Sequence, residues 1–203
     1  MKTKAKIQTL TPFMKNVEYK YQPQGLGMLF IGRFVVEKGI FVILEAAKLL
    51  KEYKFTFIGD GPLRAEIEEF ILKNNMKNVK LKPWLNDEAL QSEIIKYDAA
   101  VIPSIWYETV GIIVLEVGAK GIPSIISDNS VMCEIIEDKV DGLIFKMGDK
   151  DDLIDKIHYF YAEKERKFQL SQKMFTKITE KYNIINFYNN ILNIYNKEIR
   201  KII

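Results

Sequence analysis

Hydrophobic residues recur along this chain in two alternating rhythms. Short, largely apolar runs occur at 27–32, 55–58, 99–102, 124–126 and 143–145, and Val79 to Leu81 reads as a further short strand. Each has the length of a strand buried on both faces. Between them the apolar positions recur at helical spacing. Ile40, Ile43, Leu44, Ala47 and Leu50 predict a helix over 40–50. Leu63, Ile67, Phe70 and Ile71 predict another over 63–73, with Pro62 suited to its first turn. A third is expected over 87–95, capped by Asn86. A fourth opens at Gly111 and is stopped by Gly121 and Pro123. A short helix is expected over 132–137, and the chain reads as helical from Asp149 onward, with breaks near 165 and 181. Strands alternating with helices in this way specify an α/β fold: a doubly wound, Rossmann-like parallel sheet with helices on both faces.

The two ends of the chain follow a different pattern. Residues 1–24 show little periodicity, and Thr11-Pro12 and Gln22-Pro23-Gln24-Gly25 are loop signals. This segment reads as an extension, an edge strand or the remnant of a linker. Residues 25–181 form the Rossmann-like domain, and 182–203 a C-terminal amphipathic helix marked by Ile184, Tyr188, Ile191, Tyr195 and Ile199. The apolar stripe of that helix is expected to dock on the chain's own core. Its basic end, Lys197, Arg200 and Lys201, permits weak contact with a membrane surface.

Ligands of open parallel sheets bind beyond the carboxyl ends of the strands. The loops at 33–39, 59–62, 82–85 and 104–111 are therefore the candidate site. In the first, Arg33 and Lys38 lie beside Gly32 and Gly39. They supply a guanidinium fork and an ammonium for a diphosphate, or are ordinary surface charges. Gly59-Asp60-Gly61 is either a nucleotide-side loop or a turn that needs small residues. Trp84 reads as core first, and as a stacking surface for a base second. Glu116 stands out because Ile112, Ile113, Val114, Leu115 and Val117 surround it with apolar positions. A carboxylate there is costly without hydrogen bonds. It either faces a solvent gap, pairs with a lysine, or accepts bonds from a polyol such as a ribose. Glu108 lies eight residues earlier, at the mouth of the same crevice. Between the two, the first amides of the helix, around Val110, Gly111 and Ile112, suit an anion.

Composition removes several competing classes. The 203 residues carry 30 Lys+Arg and 27 Asp+Glu, a balance of +3, with no basic stripe interleaved with aromatics, so nucleic acid is not an expected partner. One cysteine, Cys133, and one histidine, His158, allow neither a disulfide within the chain nor a zinc site. No run suits a signal peptide or a membrane span, so a cytoplasmic protein is expected, peripheral to the inner membrane face at most. Asp149-Lys150-Asp151-Asp152 sits where acids cap a helix and offset its dipole. There is no Gly-x4-Gly-Lys-Ser/Thr, which excludes a P-loop ATPase. There is no Gly-x-Gly-x-x-Gly after the first strand, which argues against a classical NAD enzyme.

Glu108-x7-Glu116 with Gly111 between, followed by Ala119-Lys120-Gly121-Ile122-Pro123, resembles the signature of the retaining GT-B glycosyltransferases, family 4 (glycosyl transferases group 1). Gly32-Arg33-x4-Lys38-Gly39 is similar to that family's diphosphate-binding pattern. The resemblance runs from about Gly25 to about Tyr182, the donor-binding half of a GT-B architecture. It implies a nucleotide-diphosphate sugar, such as a UDP- or GDP-sugar, as substrate, and metal-free transfer with retention. It casts Glu108, Arg33 and Lys38 as the catalytic set. Glu116 takes the ribose, with Gly32, Val110, Gly111, Ile112, Gly59, Gly61 and Trp84 around the nucleotide. An acceptor and an N-terminal acceptor-binding domain, in cis or in trans, are the implied partners. The alternative is a non-catalytic nucleotide-sugar-binding module, or a partner subunit of a split enzyme. Ser130-Val131-Met132-Cys133-Glu134 replaces the family's Gly-Gly-x-Pro-Glu, and Val110 replaces an aromatic, which leaves the identity of the sugar open.

Overall fold

A computed structural model describes residues 12–14, 17–107, 111–128 and 131–199. Glu108, Thr109 and Val110 lie outside the described residues, as do Arg200 and Lys201. Six strands, β1 (Met28–Ile31), β2 (Phe55–Ile58), β3 (Val79–Lys82), β4 (Ala99–Ile102), β5 (Ser124–Ser127) and β6 (Leu143–Phe145), form one sheet. Its order is β3-β2-β1-β4-β5-β6 and every pairing is parallel. The register aligns Met28 with Phe55 on one side and Ala99 on the other. The strand order reverses direction between β1 and β4, and such a reversal opens a crevice for ligands.

The apolar runs form strands because both faces of the sheet are covered. Met28, Phe30, Phe55, Phe57, Ala99, Val101, Ile125, Leu143 and Phe145 point into one core layer. That layer is closed by α1 (Ile40–Leu49), α2 (Arg64–Lys73) and α6 (Lys150–Tyr161). The alternate residues Leu29, Ile58, Ala100, Ile102, Ile126 and Ile144 point the other way. There α3 (Asp87–Ile94), α4 (Ile112–Gly118), α5 (Met132–Ile135) and α7 (Arg166–Lys181) close the second layer. Strict alternation with apolar residues on both sides is what a central parallel sheet requires. At Gly118 a β-carbon would lie 2.4 Å from Met174 Cε, so the glycine lets α7 close on α4. Two expected caps are present: Asn86 Oδ1 accepts from the Ala89 amide, and Asp149 from the Asp151 and Asp152 amides.

The N-terminal segment is laid along the domain. Amides of Glu18, Lys20, Gln22 and Gln24 donate to carbonyls of Ala119, Lys120, Ile95 and Lys96, so it crosses the ends of α4 and α3. Tyr21 is buried there and donates to the Asp98 carbonyl at 2.7 Å. The Met14 amide bonds the Tyr182 carbonyl, and the rings of Phe13 and Phe187 lie 4.6 Å apart.

The last helix, α8 (Ile184–Ile199), corrects one expectation. Its stripe does not dock on the domain's core. None of its described side chains is buried, and Ile185, Tyr188 and Tyr195 are each more than half exposed. The amphipathic pattern predicted the helix, but periodicity does not say what covers an apolar face. Among the described residues no helix is long and apolar enough to cross a membrane.

Candidate functional site

A cleft of about 710 Å³ opens at the β1/β4 switch point, on the α3–α4 side of the sheet. Ile31 and Gly32, at the end of β1, line its base, with Lys38 from the loop that follows. Ile112, Ile113 and Glu116 of α4 form one wall, and Trp84, Asp87, Leu90 and Gln91 form another. Phe13, Met14, Ala119 and Lys120 line the far end. The cleft thus gathers Gly32, Lys38, Trp84, Ile112 and Glu116 from three separate parts of the sequence.

The loops around it are locked together by close backbone approach. Gly39 adopts a left-handed conformation, φ 63°, and a β-carbon there would sit 2.0 Å from the Pro103 carbonyl oxygen. The Ile105 amide donates to the Glu37 carbonyl, which fastens the fourth loop to the first. At Gly59 a β-carbon would lie 1.9 Å from the Gly32 carbonyl oxygen, and at Gly61 2.6 Å from that of Phe34. The Phe34 amide in turn donates to the Asp60 carbonyl. These two glycines press the second loop onto the first and do not line the cleft. Their requirement for small residues is met by loop packing.

Arg33 is exposed and stands on the same loop, but it is not among the lining residues. Trp84 departs from its expected place: it is 59% exposed and lines the cleft instead of filling the core. In the loop after β3 it is the next residue, Leu85, that packs against the core. Gly111 is buried in a left-handed conformation, φ 61°, and introduces α4 with no side-chain cap. Of the remaining predicted residues, Glu108 and Val110 fall outside the described region.

Glu116 is half-buried within the cleft. Burial pushes its carboxyl above the usual carboxylate range, and the charge of Asp87 adds to the effect. Asp87, Gln91 and Lys120 were not singled out from the sequence. Asp87, Leu90 and Gln91 fall at i, i+3 and i+4, so one face of α3 turns toward the cleft, and that spacing was the available signal. Lys120 is 92% buried yet lines the cleft, and no sequence pattern marks it. His158 is on the surface, its Nδ1 3.5 Å from the Tyr53 hydroxyl. Among the described residues no group of three or more His, Cys, Asp or Glu is arranged to hold a metal ion.

The family model described as glycosyl transferases group 1 matches residues 20–181. An uncharacterised glycosyltransferase of Methanocaldococcus jannaschii is 33% identical over 129 residues, covering 64% of this chain and 36% of its own. The structure of a TarM variant from S. aureus in complex with fondaparinux, alpha-GlcNAc-glycerol and UDP superposes with a TM-score of 0.83 at 25% identity. That match covers 93% of this chain and 39% of that one. The C-terminal domain of LpcC, a glycosyl transferase group 1 protein of Francisella tularensis, matches with a TM-score of 0.72 at 22% identity. It covers 86% of this chain and 96% of that domain. The chain spans less than half the length of the curated relatives first in similarity.

Proposed function

The chain belongs to the glycosyl transferases group 1 family, and from that premise we propose that its cleft binds the nucleotide-diphosphate part of a sugar donor. The whole protein then transfers the glycosyl group to an acceptor. The observation that carries this reading is the half-buried Glu116 carboxylate sharing one cleft with Lys38 and the end of β1. A carboxylate held among apolar side chains on α4 suits hydroxyls that donate to it, as a ribose does. Lys38 brings positive charge to the diphosphate, and Arg33 reaches it from the same loop when a ligand is present. Both would offset the negative charge that grows on the departing nucleoside diphosphate. Glu108, by its place in the family motif, contacts the donor sugar near the anomeric carbon, with the Val110 to Ile112 amides beside it.

In this reading transfer proceeds with retention and without a metal ion, and the acceptor is held by a further domain supplied in cis or in trans. The exposed apolar stripe of α8 is compatible with such a partner. Calorimetric titration of nucleoside diphosphates and their sugars into the chain tests the proposal. Glu116→Ala and Arg33→Ala should each weaken binding while thermal melting stays cooperative. Undiminished affinity in both variants would sink the assignment of the site.

A further inference from the structure

We infer that the α3 wall of the cleft reads the donor's base and is built for guanine, with Asp87 as the discriminating carboxylate. Gln91 is its amide partner and Trp84 the surface on which the ring stacks. This rests on the reading of the cleft as a nucleotide site. With the ribose at Glu116 and the diphosphate at Lys38, two parts of the cleft are left for the base: the wall of Trp84, Asp87, Leu90 and Gln91, and the far end at Phe13, Met14, Ala119 and Lys120. Only the first sets a carboxylate and an amide beside an exposed aromatic ring.

The polar groups of that wall make no side-chain bond within the fold, although Asp87 also offsets the dipole of the first turn of α3. Asn86, not Asp87, caps α3, so the Asp87 carboxylate is left for other partners. Neither Asp87 nor Gln91 has a side-chain hydrogen bond or ion pair among the described residues. Both line the cleft from the same face of α3, one turn apart. The charge of Asp87 is felt at Glu116, which places the two carboxylates within electrostatic reach.

Guanine fits this wall and uracil does not. The Watson–Crick edge of guanine carries two neighbouring donors, N1–H and the N2 amino group, beside the O6 acceptor. A carboxylate accepts both donors at once. The Gln91 amide can then donate to O6. Uracil presents O2 and O4 on either side of its single N3–H. An Asp87 carboxylate meets acceptors there, and this mismatch is itself a means of discrimination. The exposed Trp84 ring offers a stacking face that any base can use, so it adds affinity without choosing among bases.

The test is isothermal titration of GDP, UDP and ADP into the full 203-residue chain and into Asp87→Ala, Gln91→Ala and Trp84→Ala. The expected result is that GDP binds the unaltered chain about tenfold or more tighter than UDP. Asp87→Ala should erase most of that preference by weakening GDP alone. Trp84→Ala should weaken all three alike. Equal affinity of the unaltered chain for GDP and UDP, or an equal loss of both in Asp87→Ala, overturns the assignment of the base while leaving the nucleotide site standing. If none of the three binds, the nucleotide reading itself falls, and this inference with it. The comparison within the unaltered chain decides the matter even where a variant folds poorly.

Discussion

Glu116 of α4 and Asp87 of α3 line the same cleft, and the negative charge of Asp87 adds to burial in raising the Glu116 carboxyl above its ordinary range. Neither finds a salt bridge among the described residues. Lys38 and Lys120 are the cations that share the space. Glu116 left in this state is a cost to the empty domain, of the kind associated with binding sites.

That cost has a sign in pH. Because the folded carboxyl of Glu116 has the higher pKa, ionising it disfavours the folded state. The penalty is full above the folded pKa, shrinks as pH falls through it, and is gone below the ordinary carboxylate range. Glu116→Gln should therefore melt at a higher temperature than the unaltered chain at pH 7.5. The difference should vanish by about pH 4. Thermal melts of the two proteins across that range check it, and a gap independent of pH would contradict it.

Glu93 works in the opposite direction. It is mostly buried, which opposes ionisation, but Lys82, Lys96 at 2.9 Å and the Tyr97 hydroxyl at 2.9 Å bond it and together outweigh burial. Its carboxyl falls to about 2. Its stabilisation is present above the ordinary carboxylate pKa and is lost as pH falls from there toward 2. Because Lys82 ends β3, this cluster also fixes α3 against the sheet. Glu93→Gln should cost about 2 kcal/mol at pH 7, read as a lowered denaturant midpoint.

Adding one methyl group at Gly59 should be severe. The new carbon would meet the Gly32 carbonyl oxygen, a backbone atom that cannot swing aside. Gly59→Ala is expected to cost about 1–3 kcal/mol. It should also weaken nucleotide binding, because it pushes apart the loops that carry Gly32 and Lys38. Chemical denaturation and calorimetry on the same variant separate the two effects.

Removing 184–203 should leave the domain's melting temperature nearly unchanged, since no described side chain of α8 is buried. Removing α7 as well takes away Leu170, Met174 and Ile178, all buried, and should abolish cooperative unfolding. Circular dichroism melts of the two truncations distinguish an appendage from a part of the core. A large loss in the shorter truncation would contradict the exposure of α8.

Most of the sheet was legible because its inner strands are buried on both faces and so read as largely apolar runs, as Phe55–Ile58 and Ala99–Ile102 do, whereas the edge strand β3, with Lys80 and Lys82, is only partly buried. Glu116 was legible for the converse reason, as one charge in an apolar helix. Trp84 was misjudged because a large aromatic fills a core more often than it lines an open wall, and the strand pattern does not say where the core stops. Asp87 was passed over because an acid in a helix's first turn already has a structural explanation. Gly59 and Gly61 show the limit of motif reading. Their spacing was visible, but the carbonyls of Gly32 and Phe34 that require it come from a loop far away in sequence.

The fastening of the loops at Gly39, Gly59 and the Ile105–Glu37 hydrogen bond has a thermodynamic corollary. A binding rim assembled before its guest arrives loses little chain entropy on complexation. Association at this rim should then release heat without the large negative heat-capacity change of a segment folding onto its ligand.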